Sequence, residues 1–296
     1  MNNTFRNYTI SDNSGQKFFG GDQSWYSSNT RAMAGCGPVA GSNFLRSLCL
    51  TDRSCYEIIR LNKTVPYPIK KSLLSLKCTK EEFIMLMTGV YDVMRAFEIF
   101  PLNKIYDRKE RNAKFFKIVK PNTGRSSIGF IRGVIRYARK YNLFLKHNAL
   151  STAFCSKEDA IKFIDEGLEK TGSVVILTSY NKHSLKLYHP TMLPKLFSDP
   201  EGNAYPSCPC ADSSMKCHFA TITHRQGEDV MISTWGRAAT VSLDELTKSW
   251  HSIKAWESTL FYFTPTDKSG ARHSLLTSWI PFVKGIAQAL IRKTID

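Results

Sequence analysis

Cys36 stands between two glycines and just ahead of a proline, in the run Ala34-Gly35-Cys36-Gly37-Pro38-Val39-Ala40. A thiol so placed can act as a nucleophile. Glycine lets a backbone turn tightly and leaves room for a substrate, and proline suits the first turn of a helix. Gly35 and Gly37 are therefore candidate substrate-binding positions, and Val39, Ala40, Phe44, Leu45 and Leu48 can bury the helix that follows. A thiol at a helix start feels the positive end of the macrodipole, worth about 1 kcal/mol toward the reactive thiolate. That is too little alone, so a base must come from elsewhere in the chain.

A cysteine nucleophile needs an imidazole to take its proton, and the imidazole needs an orienting group on its other nitrogen. Of the seven histidines, His218 opens a strand-like run, whereas His147, His183, His189, His224, His251 and His273 fall in turns, loops or helix ends. His218 is the candidate base. Gln23, thirteen residues before Cys36 in Gly20-Gly21-Asp22-Gln23-Ser24-Trp25-Tyr26, supplies an amide able to stabilise an oxyanion. Trp25 and Trp235 are further candidate substrate-binding positions. Cys208, Cys210, Cys217 and His218 raise the competing idea of a zinc site, but two separated Cys pairs are missing and adjacent residues chelate one metal poorly. The expectation is no metal and no cofactor.

The elements that must position these residues are helical first and strand-rich later. The Cys36 helix is followed by a short helix over Tyr56–Leu61. Thr79 and Glu82 form a capping box ahead of an apolar face of Phe83, Met87, Val90, Met94 and Phe97. A helix is predicted over 127–141, a strand over 143–145, and a Ser156-capped helix with Ile161, Ile164 and Leu168 inward. Val174–Thr178 reads as a buried strand. Strands at His218–Thr223 and Asp229–Ser233 join at Gln226-Gly227-Glu228. Ser242 and Glu245 cap another helix, Thr259–Phe263 is a last strand, and Phe282, Val283, Ile286 and Leu290 lie along one side of a C-terminal helix expected to pack on the body. This order predicts an α+β fold with a helical part carrying the nucleophile against a mostly antiparallel sheet. The expected organisation is a polar arm over 1–19, one catalytic domain over 20–265 with an irregular inserted loop at 180–216, and a C-terminal helix in 266–296.

Composition narrows the setting. The 296 residues are 42% hydrophobic and 22% charged, with a formal net charge of +16. No stretch has the apolar length of a membrane span, the first sixteen residues are polar, and the expected address is the cytoplasm. Eight cysteines are too few for a disulfide scaffold and are expected to be reduced. Between Lys104 and Lys140, twelve Lys and Arg face only Asp107 and Glu110. Such a region is either a solvated helix face with a basic loop or an attractor for nucleic acid, an anionic membrane surface or an acidic peptide, and an acidic substrate is the expectation. Nucleic acid is not expected, because no nucleic-acid-binding motif accompanies the charge.

Asp22-Gln23-Ser24-Trp25, Gly35-Cys36-Gly37-Pro38, Cys217-His218-Phe219-Ala220-Thr221-Ile222 and Ile232-Ser233-Thr234-Trp235-Gly236 occur in that order, and the set resembles the papain-like cysteine peptidases. Within that clan it is most similar to peptidase-like proteins related to bacteriocin-leader-processing peptidases. The resemblance implies a papain-like fold, with Cys36 as nucleophile, His218 as general base and acid, and Gln23 as oxyanion donor. The third catalytic position, Asn in the papain-type Asn-Ser-Trp-Gly, is Ser233 here, whose hydroxyl would orient His218 with a weaker hold. A backbone carbonyl, Asp229 or Asp244 are the alternatives. The implied function is a thiol hydrolase cleaving an amide bond in a peptide or protein. An acyl transferase of the same clan, or a peptide-binding module with weak turnover, is the alternative.

Overall fold

Ile10 and Phe19 are apolar residues in a polar stretch and must find cover. In the computed structural model of the protein both are fully buried. The structure describes residues 9–94, 126–152, 155–178, 185–188, 214–215, 217–250, 258–281, 283–284 and 287. Strand β1 (Thr9–Ser11) pairs antiparallel with β2 (Lys17–Phe19). The expected polar arm is thus, over residues 9–19, a hairpin belonging to the core; residues 1–8 lie outside the described part.

Four helices follow: α1 (Asn29–Ala34), α2 (Cys36–Thr51), α3 (Arg53–Leu61) and α4 (Tyr67–Leu74). Asp52 caps α3 by accepting from the Cys55 N–H at 2.9 Å, which starts that helix three residues earlier than the sequence predicts. β3 (Cys78–Thr79) runs parallel to β1 and completes a small sheet in the order β2-β1-β3. It leads into α5 (Lys80–Val93), where both bonds of the Thr79/Glu82 capping box are present. Arg46 of α2, 1 % exposed, donates from Nη2 to the carbonyls of Thr9, Ser75 and Leu76. That charge-assisted set ties β1 and the end of α4 to the central helix.

The second half begins with α6 (Ser127–Lys140), capped by the Ser126 hydroxyl. The strand predicted at 143–145 is β4 (Leu145–Ser151), a longer edge strand whose polar Lys146, His147 and Asn148 mask it in the sequence. α7 (Lys157–Thr171) starts at the Ser156 cap and stops at Gly172, in the left-handed region at φ 72°. β5 (Val174–Thr178) follows. Inside the expected irregular loop, β6 (Leu185–Lys186) and β7 (Ser214–Met215) pair as a ribbon, and Leu185, Leu187 and Met215 are buried. Those residues alternate into the core, so this part is structural; His183, His189, Cys208 and Cys210 lie outside the described residues. β8 (His218–Gln226), β9 (Asp229–Thr234), β10 (Arg237–Ser242), α8 (Leu243–Trp250), β11 (Thr259–Pro265) and α9 (Lys268–Thr277) complete the chain.

The main sheet has the order β10-β9-β8-β5-β11-β4, with every neighbouring pair antiparallel. The protein is α+β. Period-two alternation sends Val175, Leu177, Phe219, Phe261 and Phe263 to the face covered by α2 and α6. Val174, Ile176, Ala220, Ile222, Ile232 and Leu260 go to the face covered by α7 and α8. Burial on both faces explains the unbroken apolar run at 174–177. α2 is buried from Cys36 to Cys49, with Phe44 against Phe263 at 5.3 Å. Phe130 of α6 stacks on Phe219 at 4.8 Å.

At the C-terminus the helix that packs on β4 and α6 is α9, fixed by its Asp267 cap, whereas Val283 is 44 % exposed. The expected inward side of the tail is corrected at that residue; Phe282, Ile286 and Leu290 lie outside the described residues. Most of the basic region, 104–125, also lies outside them. Among the described residues no helix is long and apolar enough to cross a membrane.

Candidate functional site

Cys36 is the first residue of α2, as the sequence predicts, and it is 8 % exposed. Gly35 joins α1 to α2, and a Cβ there would meet the Tyr26 ring and the Arg31 carbonyl, each at 2.6 Å. Tyr26 is itself fixed by donating to the Met87 carbonyl at 2.9 Å. Gly35 is thus required by packing behind Cys36. Gly37 and Pro38 lie buried in the first turn of α2, where a missing N–H removes no helical hydrogen bond.

His218 opens β8 opposite Thr178 of β5, whose hydroxyl donates to the His218 carbonyl at 3.2 Å. Its ring meets Trp235 at 4.7 Å between centroids, and its Nε2 lies 2.9 Å from Thr234 Oγ1. Trp235 and Gly236 form the two-residue connection between β9 and β10, both with positive φ (49° and 68°) as a type I′ turn requires. A bulky residue in the left-handed region is strained. Two hydrogen bonds from the N-terminal segment hold the turn: Phe19 N–H to the Gly236 carbonyl at 2.8 Å, and Gly236 N–H to the Gly21 carbonyl at 3.0 Å.

Ser233 does not meet the imidazole. Its hydroxyl donates to the Phe19 carbonyl at 2.8 Å and accepts from Asn43 Nδ2 at 3.3 Å. The reason is strand parity. Thr221 pairs with Ser233, so Ser233 shares the face of Phe219, whereas Thr234 shares the face of Ala220 and His218. The ring-orienting role expected of Ser233 therefore moves to Thr234. Ser233 and Asn43 instead clamp the approach to Gln23, with Asn43 Oδ1 accepting from the Gly21 N–H at 3.1 Å. Gly20 sits at φ 80°, and a Cβ there would lie 2.1 Å from Ser233 Oγ.

That clamp positions Gln23, the first residue of a single 3-10 turn (Gln23–Trp25) capped by Asp22. Gln23 Oε1 is buried without a hydrogen-bond partner, which leaves the amide nitrogen as the more accessible end of the side chain. Gln23, Cys36, Asn43, His218, Thr234 and Trp235 line one cavity of about 10 Å³, the threshold for a single water. Trp25 is not in that lining. It packs on Phe18 and Phe83, at 5.0 and 6.3 Å, with Lys80 Nζ 5.3 Å over its ring. Sequence reasoning missed Thr234 and Asn43. Asn43 carried a readable signal, a polar residue two helical turns after Cys36 in an apolar stretch.

Burial pushes the His218 ring down to about 4, so it is neutral at pH 7. Cys49 and Cys155 are pushed up to about 12 by burial, and Cys55 is raised for the same reason. Cys217 is exposed. Among the described residues no cluster of His, Cys, Asp and Glu could hold a metal ion. No protein-family model matches the chain, and no curated protein matches it.

The buried histidines make stability fall with acid. His147, like His218, is pushed down to about 4, by burial and then by His273, whereas an unfolded histidine titrates near 6.5. Between those values the unfolded chain holds more protons than the folded one. Stability is therefore complete above pH 6.5 and declines as pH falls toward 4, by up to about 1.4 kcal/mol per pH unit for each ring. Urea midpoints at pH 7, 5.5 and 4.5 should fall in that order. A His147→Gln/His218→Gln variant should flatten the decline; an equally steep decline would refute the assignment.

Proposed function

We propose that the protein is a papain-like thiol hydrolase that cleaves an amide bond in a peptide. The observation that carries this reading is convergence: Gln23, Cys36 and His218, from three separate segments, line one small cavity, and Thr234 holds one nitrogen of the imidazole. In the tautomer with its proton on Nε2, the ring donates to Thr234 and Nδ1 is the nitrogen that accepts the Cys36 proton. Because the ring is neutral before reaction, the thiol loses its proton as sulfur attacks the carbonyl. The Gln23 amide and the Cys36 N–H at the start of α2 stabilise the oxyanion, and His218 then protonates the leaving amine. Water hydrolyses the thioester with His218 again as base. The net charge of +16 favours acidic peptides. A second reading, a peptide-binding module with weak turnover, is favoured by one feature: a neutral hydroxyl, Thr234, stands where a carboxylate or carboxamide would hold the ring more firmly.

The test uses iodoacetamide at pH 7 and a panel of fluorogenic peptides. Cys36 should alkylate faster than exposed Cys217, while Cys49, Cys55 and Cys155 stay silent. Peptide cleavage should disappear in Cys36→Ala. Equal labelling of Cys36 and Cys217 with no cleaved peptide would remove the enzymatic reading; fast labelling without cleavage would favour the binding module.

Two neighbouring substitutions should behave oppositely. Thr234→Val removes the hydroxyl on Nε2 and should lower turnover by about 10- to 100-fold with little loss of stability. Ser233→Ala breaks the clamp and should cost about 1–2 kcal/mol in urea unfolding while sparing the dependence of Cys36 on His218. The reverse pattern would restore Ser233 as the orienting residue.

A further inference from the structure

A second cavity, of about 540 Å³, lies between β4, α9 and the turn after α9, and the peptidase reading makes no use of it. Its size falls in the range of small-molecule sites. Its lining residues include His147 of β4, His273 of α9 and Lys284 beyond it. No carboxylate among the described residues lines it. Ile280 and Pro281 are among its apolar lining residues.

His147 is held in a defined state. Ser274 Oγ accepts from the His147 backbone N–H at 2.8 Å and lies 2.5 Å from the ring Nδ1. The Ser274 hydroxyl has one hydrogen, and donation to Nδ1 uses every polar group of the pair. That assignment places the ring proton on Nε2, the nitrogen not tied to Ser274. The result is an oriented, neutral N–H donor on a residue that lines the cavity together with Lys284.

We propose that this cavity is a binding site for a small amphipathic carboxylic acid. His147 Nε2–H and the Lys284 ammonium group hold the carboxylate, and Ile280 and Pro281 cover the apolar body. The depressed basicity of His147 fits this site, since burial and the nearby His273 both disfavour a charged ring, and a bound anion would relieve that.

The experiment titrates 4-phenylbutyrate, 4-phenylbutan-1-ol and inorganic phosphate into the full chain, observed by ¹⁵N NMR of the histidine rings. Phenylbutyrate is expected to shift the His147 signals and raise the pH at which that ring protonates. The alcohol and phosphate should each bind at least about tenfold more weakly. Lys284→Gln, at an exposed position that leaves the fold intact, should weaken phenylbutyrate by about tenfold or more. The Cys36 alkylation rate should not change, which separates this site from the thiol site. The proposal is overturned if the alcohol or phosphate binds as tightly as the acid. It is equally overturned if Lys284→Gln keeps full affinity, or if phenylbutyrate leaves His147 unmoved up to about 10 mM.

Discussion

Replacing His218 with alanine is expected to slow alkylation of Cys36 at pH 7 and to reduce peptide cleavage by about 10²- to 10⁴-fold, the usual worth of a positioned general base. The start of α2 favours the ionised thiol by about 1 kcal/mol, or less than tenfold. The imidazole is placed by three contacts: Thr234 on Nε2, the Trp235 ring against its face, and Thr178 on its backbone carbonyl. Because burial pushes the ring down to about 4, the acid limb of kcat/KM should fall near pH 4 and not near 6.5. Below that pH the ring is protonated and cannot accept the thiol proton; above it the base is available. A separate check guards against misfolding: in His218→Ala, buried Cys49 and Cys55 should stay unlabelled. An unchanged Cys36 rate in a folded variant would end the peptidase proposal.

Phe130→Ala should be the most damaging core substitution among the residues that support the site, costing about 3–5 kcal/mol. Its ring is fully buried and lies 4.8 Å from Phe219, 5.2 Å from Phe261 and 6.1 Å from Phe263, so it joins α6 to three positions on the face of the sheet that α2 and α6 cover. Truncation removes those ring contacts and leaves a cavity beside Phe219, the residue next to His218. Domains of this kind have about 5–15 kcal/mol of stability in total, so the variant should show a much lower urea midpoint at an unchanged m-value. A loss below about 1 kcal/mol would mean that the aromatic cluster is loosely packed.

Local signals carried far in this chain. The Thr79/Glu82 box and the Ser156 cap are decided within a few residues, and the structure has each of them where the sequence predicts. Cys36 at the start of a buried helix was legible for the same reason. The N-terminal hairpin was not, because Ile10 and Phe19 find cover only through partners far along the chain. The packing of Trp25 was not legible either: its neighbours, Phe83 and Lys80, become neighbours only after α5 packs.

By itself, then, the sequence determined the helix starts, the apolar runs of the buried strands, and the three residue types that meet at the cavity. Tertiary structure decided which hydroxyl faces the imidazole. Ser233 and Thr234 are adjacent and chemically alike, and only the pairing of Thr221 with Ser233 turns one toward Asn43 and the other toward His218. A strand's side chains alternate with a period of two, so a register fixed by the whole sheet chooses between neighbours that local preference cannot separate.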